Sequence, residues 1–309
     1  GAGQMGNGIE ELRGIPFVAS RGCPYECTFC SNPSMWGKLW KPRPPQEVID
    51  EWKLWIKKYR VNHFYSCDLT AIVLKKWIVE FCELLIKENL PITWGLPSGT
   101  RSEALDYEVL QLLKEAGCND LDYAPESGSD YILKIIKKKI NKDKMLESIH
   151  NCNRVGINSK VNIIFGFPGE KRRHVFESYY FILRLVWAGV NDVLVGTFSA
   201  YPGSEFYENL KREGKININD EFFHDLAAQG SLDVMSCYTK YYSRTELYLF
   251  KMGGFILFYI ASLLCRPHRL WVLIRDLVKG SGTTRLSIGL INIFSRWRQR
   301  QSMAIISKE

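Results

Sequence analysis

The chain lacks an uncharged apolar run long enough to cross a bilayer. Its longest, Met252 to Cys265 between Lys251 and Arg266, falls short of the roughly 20 residues a spanning helix needs. A buried or interfacial helix is expected there instead. The opening residues, Gly1 to Gly8, are small and polar and lack the apolar core of a secretory leader. Residues 1–14 read as a linker, with a further domain expected before it. Cysteines are not spread as a small disulfide scaffold would spread them: there are nine in 309 residues, and Cys23, Cys27 and Cys30 crowd together. That fits a reducing cytoplasm. With only five histidines, and no ligand-like spacing at His150, His174 or His224, a histidine-based metal site is not expected.

Acidic residues are scarce near the C-terminus. From Arg266 to Lys308 the cations Arg266, Arg269, Arg275, Lys279, Arg285, Arg296, Arg298, Arg300 and Lys308 face only Asp276, with Glu309 following. The formal net charge of +8 is therefore unevenly placed. An anionic partner surface would suit it, a membrane face as well as nucleic acid; so would a plain solvated face. Hydrophobic residues at 46% and charged residues at 24% exclude disordered and collagen-like classes.

From Ile15 to about Gly214, short apolar runs alternate with amphipathic stretches. Strands are predicted at Pro16–Ser20, Asn62–Ser66, Ile92–Gly95, Asp120–Tyr123, Lys160–Phe165 and Asp192–Thr197. Helices are predicted at Gln46–Tyr59, Leu74–Lys87, Asp106–Glu115, Asp130–Lys138, Lys142–Arg154, Lys171–Trp187 and Ser204–Arg212. Asp106 is placed to cap a helix start, and Gly117 and Gly156 sit where helices stop. Six strand–helix repeats imply a parallel sheet, either doubly wound or curved into part of a barrel; periodicity alone leaves both open. After Gly214 the rhythm ends, residues from about Thr245 to Lys279 read as apolar helix, and the last thirty or so are weakly patterned.

The chemistry-bearing segment follows the first strand: Ser20-Arg21-Gly22-Cys23-Pro24-Tyr25-Glu26-Cys27-Thr28-Phe29-Cys30. Three thiolates in a Cys-x3-Cys-x2-Cys loop can ligate three irons of a cubane cluster, leaving the fourth open. The rival reading is a structural zinc site completed by His63 or Cys67, giving a non-enzymatic α/β module with a basic interaction tail. Cys67-Asp68, Glu126 and Gly166–Glu170 also fall just after predicted strands, where a curved parallel sheet gathers its chemistry.

With this loop in this place, the sequence resembles a radical S-adenosylmethionine (radical SAM) enzyme across residues 15–214. The resemblance implies a partial (β/α)6 TIM-type barrel with an α-helical, basic C-terminal extension over 215–309. It implies that Cys23, Cys27 and Cys30 hold a [4Fe–4S] cluster that cleaves S-adenosylmethionine to a 5′-deoxyadenosyl radical, with Phe29 beside the adenine. Asp68, ending Ser66-Cys67-Asp68, stands where the family contacts the cofactor's amino group, although the Gly-Gly-Glu of some branches is absent. Glu126 of Glu126-Ser127-Gly128-Ser129 would approach the ribose, and Gly166 of Gly166-Phe167-Pro168-Gly169-Glu170 would border the adenine. Lys138 sits where related members carry a Lys or Arg, and Tyr201-Pro202-Gly203-Ser204 resembles a recurring turn.

Arg21-Gly22-Cys23-Pro24 together with the Glu-Ser-Gly and Gly-Phe-Pro-Gly-Glu segments resembles the branch with an N-terminal cobalamin-binding domain, whose members include methyltransferases and oxidative cyclases. No Asp-x-His-x-x-Gly pattern occurs in these residues, so cobalamin is expected only in a domain outside them. The expected partners are a small-molecule or lipid-like substrate, a reductant such as flavodoxin or ferredoxin, and a peripheral membrane contact through the C-terminal region. Nucleic acid is not expected, and the expected location is cytoplasmic with membrane association.

Overall fold

The computed structural model describes residues 13–100, 104–227 and 236–306. The linker reading apart from Arg13 and Gly14, and Lys308, lie outside them, as do the side chains of Arg296, Arg298 and Arg300. The described residues form one compact unit over Arg13–Phe258 and a second from Tyr259 onward.

The first unit is built on six parallel strands: β1 (Gly14–Phe17), β4 (His63–Ser66), β5 (Thr93–Thr100), β6 (Cys118–Glu126), β7 (Asn158–Phe165) and β8 (Asp192–Thr197). A two-residue antiparallel ladder joins β2 (Ser20–Arg21) to β3 (Lys41–Pro42). The sheet order is β1-β4-β5-β6-β7-β8, each strand beside its successor in chain order. A doubly wound sheet reverses direction at a switch point; this one never does. Crossovers of one hand then send every helix to the same face and curl the sheet. Since β1 and β8 are the two edges, the arc is open, the predicted partial barrel.

Helices fill the crossovers: α1 (Asn32–Met35), α2 (Pro45–Tyr59), α3 (Lys75–Glu88), α4 (Tyr107–Glu115), α5 (Asp130–Ile135), α6 (Lys142–Val155), α7 (Arg172–Ala188) and α8 (Glu205–Arg212). Their apolar stripes pack on alternate strand residues. Trp52 of α2 stacks on Phe64 of β4 at 4.3 Å, and both are fully buried. Each such aromatic contributes about 2–3 kcal/mol through burial. Tyr123 of β6 points to α6, with its hydroxyl 2.8 Å from Ser148 and 3.1 Å from the Cys152 thiol. The opposite strand faces, with Asp120, Asp122, Lys160 and Asn162, therefore line the concave side, where Lys160 Nζ lies 3.3 Å from Asp120.

Predicted caps are in place. Asp106 accepts the Val109 N–H at 3.0 Å, and Gly156 closes α6 in a left-handed conformation. β5 and β6 run longer than predicted because each continues past a proline through a register shift; Pro97 and Pro125 donate no N–H and break the strand pattern in sequence. α5 stops at Ile135 rather than Lys138, since Lys137 turns left-handed at φ 52°.

After α8 come α9 (Asp220–Ala227) and the 22-residue α10 (Arg244–Cys265). By length and composition alone α10 matches a spanning helix, with a mean window hydropathy of 1.8. Its inner side is nevertheless packed in the first unit: Leu247, Lys251 and Phe258 are buried, and Tyr179 donates to the Phe250 carbonyl at 2.7 Å. The second unit holds the end of α10, α11 (His268–Lys279) and α12 (Arg285–Ile306). α12 occupies the stretch that reads as weakly patterned in sequence.

Candidate active site

The cysteine loop leaves β1 at the C-terminal end of the sheet, and Asp68 fixes its departure. The Asp68 carboxylate is 2% exposed and accepts from Ala19 N–H at 3.1 Å, Ser20 N–H, Ser20 Oγ at 2.6 Å and Ser66 Oγ at 2.5 Å. Two donors per oxygen use the four lone-pair positions of a carboxylate. In this structure Asp68 fastens the strand-to-loop turn, and its four acceptor positions are taken by backbone and serine donors.

Gly22 then turns at φ 78°, and a Cβ there would sit 2.1 Å from the Leu39 carbonyl oxygen, so only glycine fits. Asn32, buried, organises the loop from within. Its amide donates to the Cys23 and Gly37 carbonyls, both at 3.2 Å, and its backbone N–H points at Cys30 Sγ at 3.5 Å. Between Cys27 and Cys30, Thr28 donates its N–H to the Ile136 carbonyl at 3.1 Å and accepts from Phe206 N–H at 3.0 Å. Ser34 Oγ donates to the Gly203 carbonyl at 2.6 Å. The Tyr201–Ser204 turn thus receives the loop after the last strand, and Ser204 caps α8 by accepting from Tyr207 N–H at 3.2 Å.

Cys23, Cys27 and Cys30 form no disulfide and are of intermediate exposure. Burial raises the Cys27 pKa while the Lys138 cation opposes the rise. Among the described residues no three His, Cys, Asp or Glu side chains gather around one point. His63 belongs to the opposite end of β4, its ring 2.8 Å from Thr93 Oγ1, so it cannot complete a zinc site with the loop. Cys67 is exposed, its N–H held by the Phe17 carbonyl at 2.8 Å.

Glu126 ends β6 in the left-handed region at φ 67°, which costs a non-glycine residue roughly 1–2 kcal/mol. Its neighbours hold it there. Gly128 N–H donates to Ser178 Oγ at 3.0 Å, Ser127 Oγ lies 3.2 Å from the same atom, and a Gly128 Cβ would stand 2.5 Å from Phe181 Cβ. The Glu-Ser-Gly segment is therefore shaped by its contact with α7. Burial raises the Glu126 pKa, and Lys138, with Nζ at 3.0 Å, pulls against it. The Lys138 cation also lies 6.0 Å from the Phe29 ring centroid, and that ring packs at 5.6 Å on Phe167. Cys27, Phe29, Glu126 and Lys138 are brought together.

Gly166 comes to the same end of the sheet, but its N–H is spent on Glu170 Oε2 at 2.5 Å. Only its carbonyl and backbone surface remain available. Glu170 is fully buried, accepts from Tyr242 Oη at 2.6 Å, and leaves Oε1 without a partner. Burial pushes its pKa up to about 7. Thr239 Oγ1 donates to the Glu170 carbonyl at 2.8 Å, so the loop after β7 is tied to the chain before α10. Sequence reasoning missed Asn32 and Thr28, and gave Glu170 no role; Tyr242, 72 residues away along the chain, carries no local signal.

A family model described as the radical SAM superfamily matches residues 17–182. An uncharacterized methyltransferase of Pyrococcus horikoshii is 26% identical over 264 residues, covering 79% of this chain and 56% of the relative. An anaerobic magnesium-protoporphyrin IX monomethyl ester cyclase of Rubrivivax gelatinosus is 29% identical over 165 residues, 53% of this chain and 29% of the relative. The chain thus spans about half the length of the first relative and less of the second. Among solved structures, the cobalamin-dependent S-adenosylmethionine radical enzyme OxsB, with aqua-cobalamin and S-adenosylmethionine bound, superposes with a TM-score of 0.56 at 15% identity. That match covers 92% of this chain and 50% of OxsB, and shows a shared fold.

Proposed function

Because the chain belongs to the radical SAM superfamily, we propose that Cys23, Cys27 and Cys30 each ligate one iron of a [4Fe–4S] cluster and leave the fourth iron to S-adenosylmethionine. Held by these three thiolates and reduced by a flavodoxin- or ferredoxin-like donor, such a cluster would supply the one-electron chemistry for reductive cleavage of S-adenosylmethionine to methionine and a 5′-deoxyadenosyl radical. The donor set fits: a cubane takes each thiolate on a different iron, so three thiols need not converge on one point as around a single ion.

The observation that carries this reading is the double anchoring of Thr28, which holds the loop beside Glu126, Lys138 and Phe29. Lys138 favours negative charge at Cys27 and opposes the rise that burial gives the Glu126 pKa. Glu126 is then a ready acceptor for ribose hydroxyls, and Phe29 with the Gly166 backbone offers flat surface to an adenine. The N–H of Asn32 directed at Cys30 Sγ would withdraw charge from that ligand and tune the cluster potential.

The reaction class follows the relatives: methyl transfer or oxidative cyclisation on a hydrophobic, small-molecule or lipid-like substrate. No residue of this chain is assigned to cobalamin. The domain assignment proposed is a radical SAM core over 15–214, with 215–309 as a helical, basic region, in a cytoplasmic protein.

The test is anaerobic reconstitution with iron and sulfide, followed by dithionite and S-adenosylmethionine. Wild type should form 5′-deoxyadenosine, and Cys23→Ala, Cys27→Ala or Cys30→Ala should lower the rate at least 100-fold. Cys82→Ala and Cys152→Ala should not, since both thiols are buried and burial raises the pKa of Cys152 to about 12. Turnover by Cys27→Ala would sink the assignment.

A further inference from the structure

The second unit turns the usual order of an amphipathic helix inside out. Along α11, Leu270, Trp271, Ile274 and Val278 share one face at helical spacing, and that face is outward: they are 49%, 76%, 42% and 82% exposed. Ile260 and Leu264 at the end of α10 and Ile293 and Phe294 of α12 are exposed as well. The charged residue facing inward is Asp276, 2% exposed, which accepts from Thr283 N–H at 2.8 Å and Thr283 Oγ1 at 2.5 Å.

Burying an acid while exposing aliphatic and indole side chains is the reverse of what water selects. Among the described residues, the hydrogen bonds that join the helices of this unit do not use that face. Arg269 donates to Ser262 Oγ at 2.5 Å, and Tyr259 Oη accepts from Leu286 N–H at 3.2 Å. From Arg266 to Arg285 the chain carries five cations, Arg266, Arg269, Arg275, Lys279 and Arg285, and one acid, Asp276, whose carboxylate accepts from Thr283 and lies 3.3 Å from Arg275.

We propose that α11 is an interfacial anchor that lies in the headgroup layer of an anionic lipid bilayer. Its Leu270–Trp271–Ile274–Val278 stripe enters the acyl boundary, and the flanking cations pair with lipid phosphates and carboxylates. The tryptophan suits the boundary, its ring apolar and its N–H wet. Twelve residues cannot span the bilayer, so the attachment is peripheral and reversible, and it does not depend on the cluster assignment.

The test uses flotation of the full chain with vesicles of phosphatidylcholine alone or with 30% phosphatidylserine, at about 0.1 M salt. Binding is expected to the anionic vesicles, at least tenfold weaker to the neutral ones, and reduced again by 0.5 M salt. Trp271→Glu/Val278→Glu should lower anionic binding at least tenfold, and Arg275→Gln/Lys279→Gln by roughly 30-fold at about fivefold per cation. Trp187→Glu, at an 80% exposed position on α7, should leave binding unchanged, and every variant should keep wild-type melting. Equal affinity for neutral and anionic vesicles would overturn the proposal. So would indifference to Trp271→Glu/Val278→Glu, or the finding that this variant abolishes self-association or duplex-RNA binding while vesicle binding is nil.

Discussion

Lys138 Nζ lies 3.0 Å from a Glu126 carboxylate oxygen, with both side chains almost wholly buried. Neither charge is affordable there without the other. Removing the cation in Lys138→Met leaves a buried carboxylate unpaired, and unfolding stability should fall by about 3 kcal/mol. Glu126→Gln/Lys138→Met should be less destabilised than Lys138→Met alone. Glu126→Gln should also weaken S-adenosylmethionine binding about 10- to 100-fold, the worth of a charged hydrogen bond. Equilibrium dialysis and thermal melts separate the two effects.

Asp68 offers a test between fastening and ligand contact. Asp68→Ala strands the buried N–H groups of Ala19 and Ser20, at about 1–3 kcal/mol each. As a fastener, it should cost iron retention and melting temperature, while the S-adenosylmethionine affinity of whatever cluster-loaded protein remains stays at the wild-type value. An isolated loss of that affinity, with iron content intact, would return Asp68 to the binding site.

Gly128 is predicted to be irreplaceable for steric reasons. Alanine would place its Cβ 2.5 Å from Phe181 Cβ and 2.7 Å from Ser178 Cα, which α7 can relieve only by moving away. Gly128→Ala should cost about 3 kcal/mol, read by denaturant unfolding. Gly289→Ala, where nothing lies within 4 Å, should be neutral or slightly stabilising, because alanine is the better helix former.

Glu170 sets a pH dependence. Its folded pKa of about 7 stands above the ordinary 4.5, so between those values the folded chain holds a proton that the unfolded chain has lost. Its contribution is full below pH 4.5 and disappears as pH rises through 7, amounting to about 3 kcal/mol. Glu170→Gln should flatten stability between pH 5 and pH 8, as followed by urea midpoints. Tyr242→Phe should lower stability across the whole range by about 1 kcal/mol.

Much of this arrangement was legible in sequence because it is local. Six apolar runs and the helices between them announce the sheet, and the three-cysteine loop stands out by its spacing directly after the first strand. Asp68 and Lys138 show where such reading stops. A carboxylate after a strand looks the same whether it greets a ligand or seizes its own backbone, and the donors around Asp68 appear only once the chain is folded. Lys138, in a run of three lysines, looks like a wet helix face, yet Lys137 turns left-handed and aims its neighbour inward. Glu170 and Tyr242 meet through tertiary folding alone, which no periodicity encodes.

The first and last strands of this sheet never touch as strands, yet Thr28 reaches Phe206 and Ser34 reaches Gly203 across the gap between them. The cysteine segment is therefore also a latch joining the two free margins of the arc. Damage that unseats it would release those margins together, so, with the cluster seated as proposed, iron loss and opening of the domain should occur as one event.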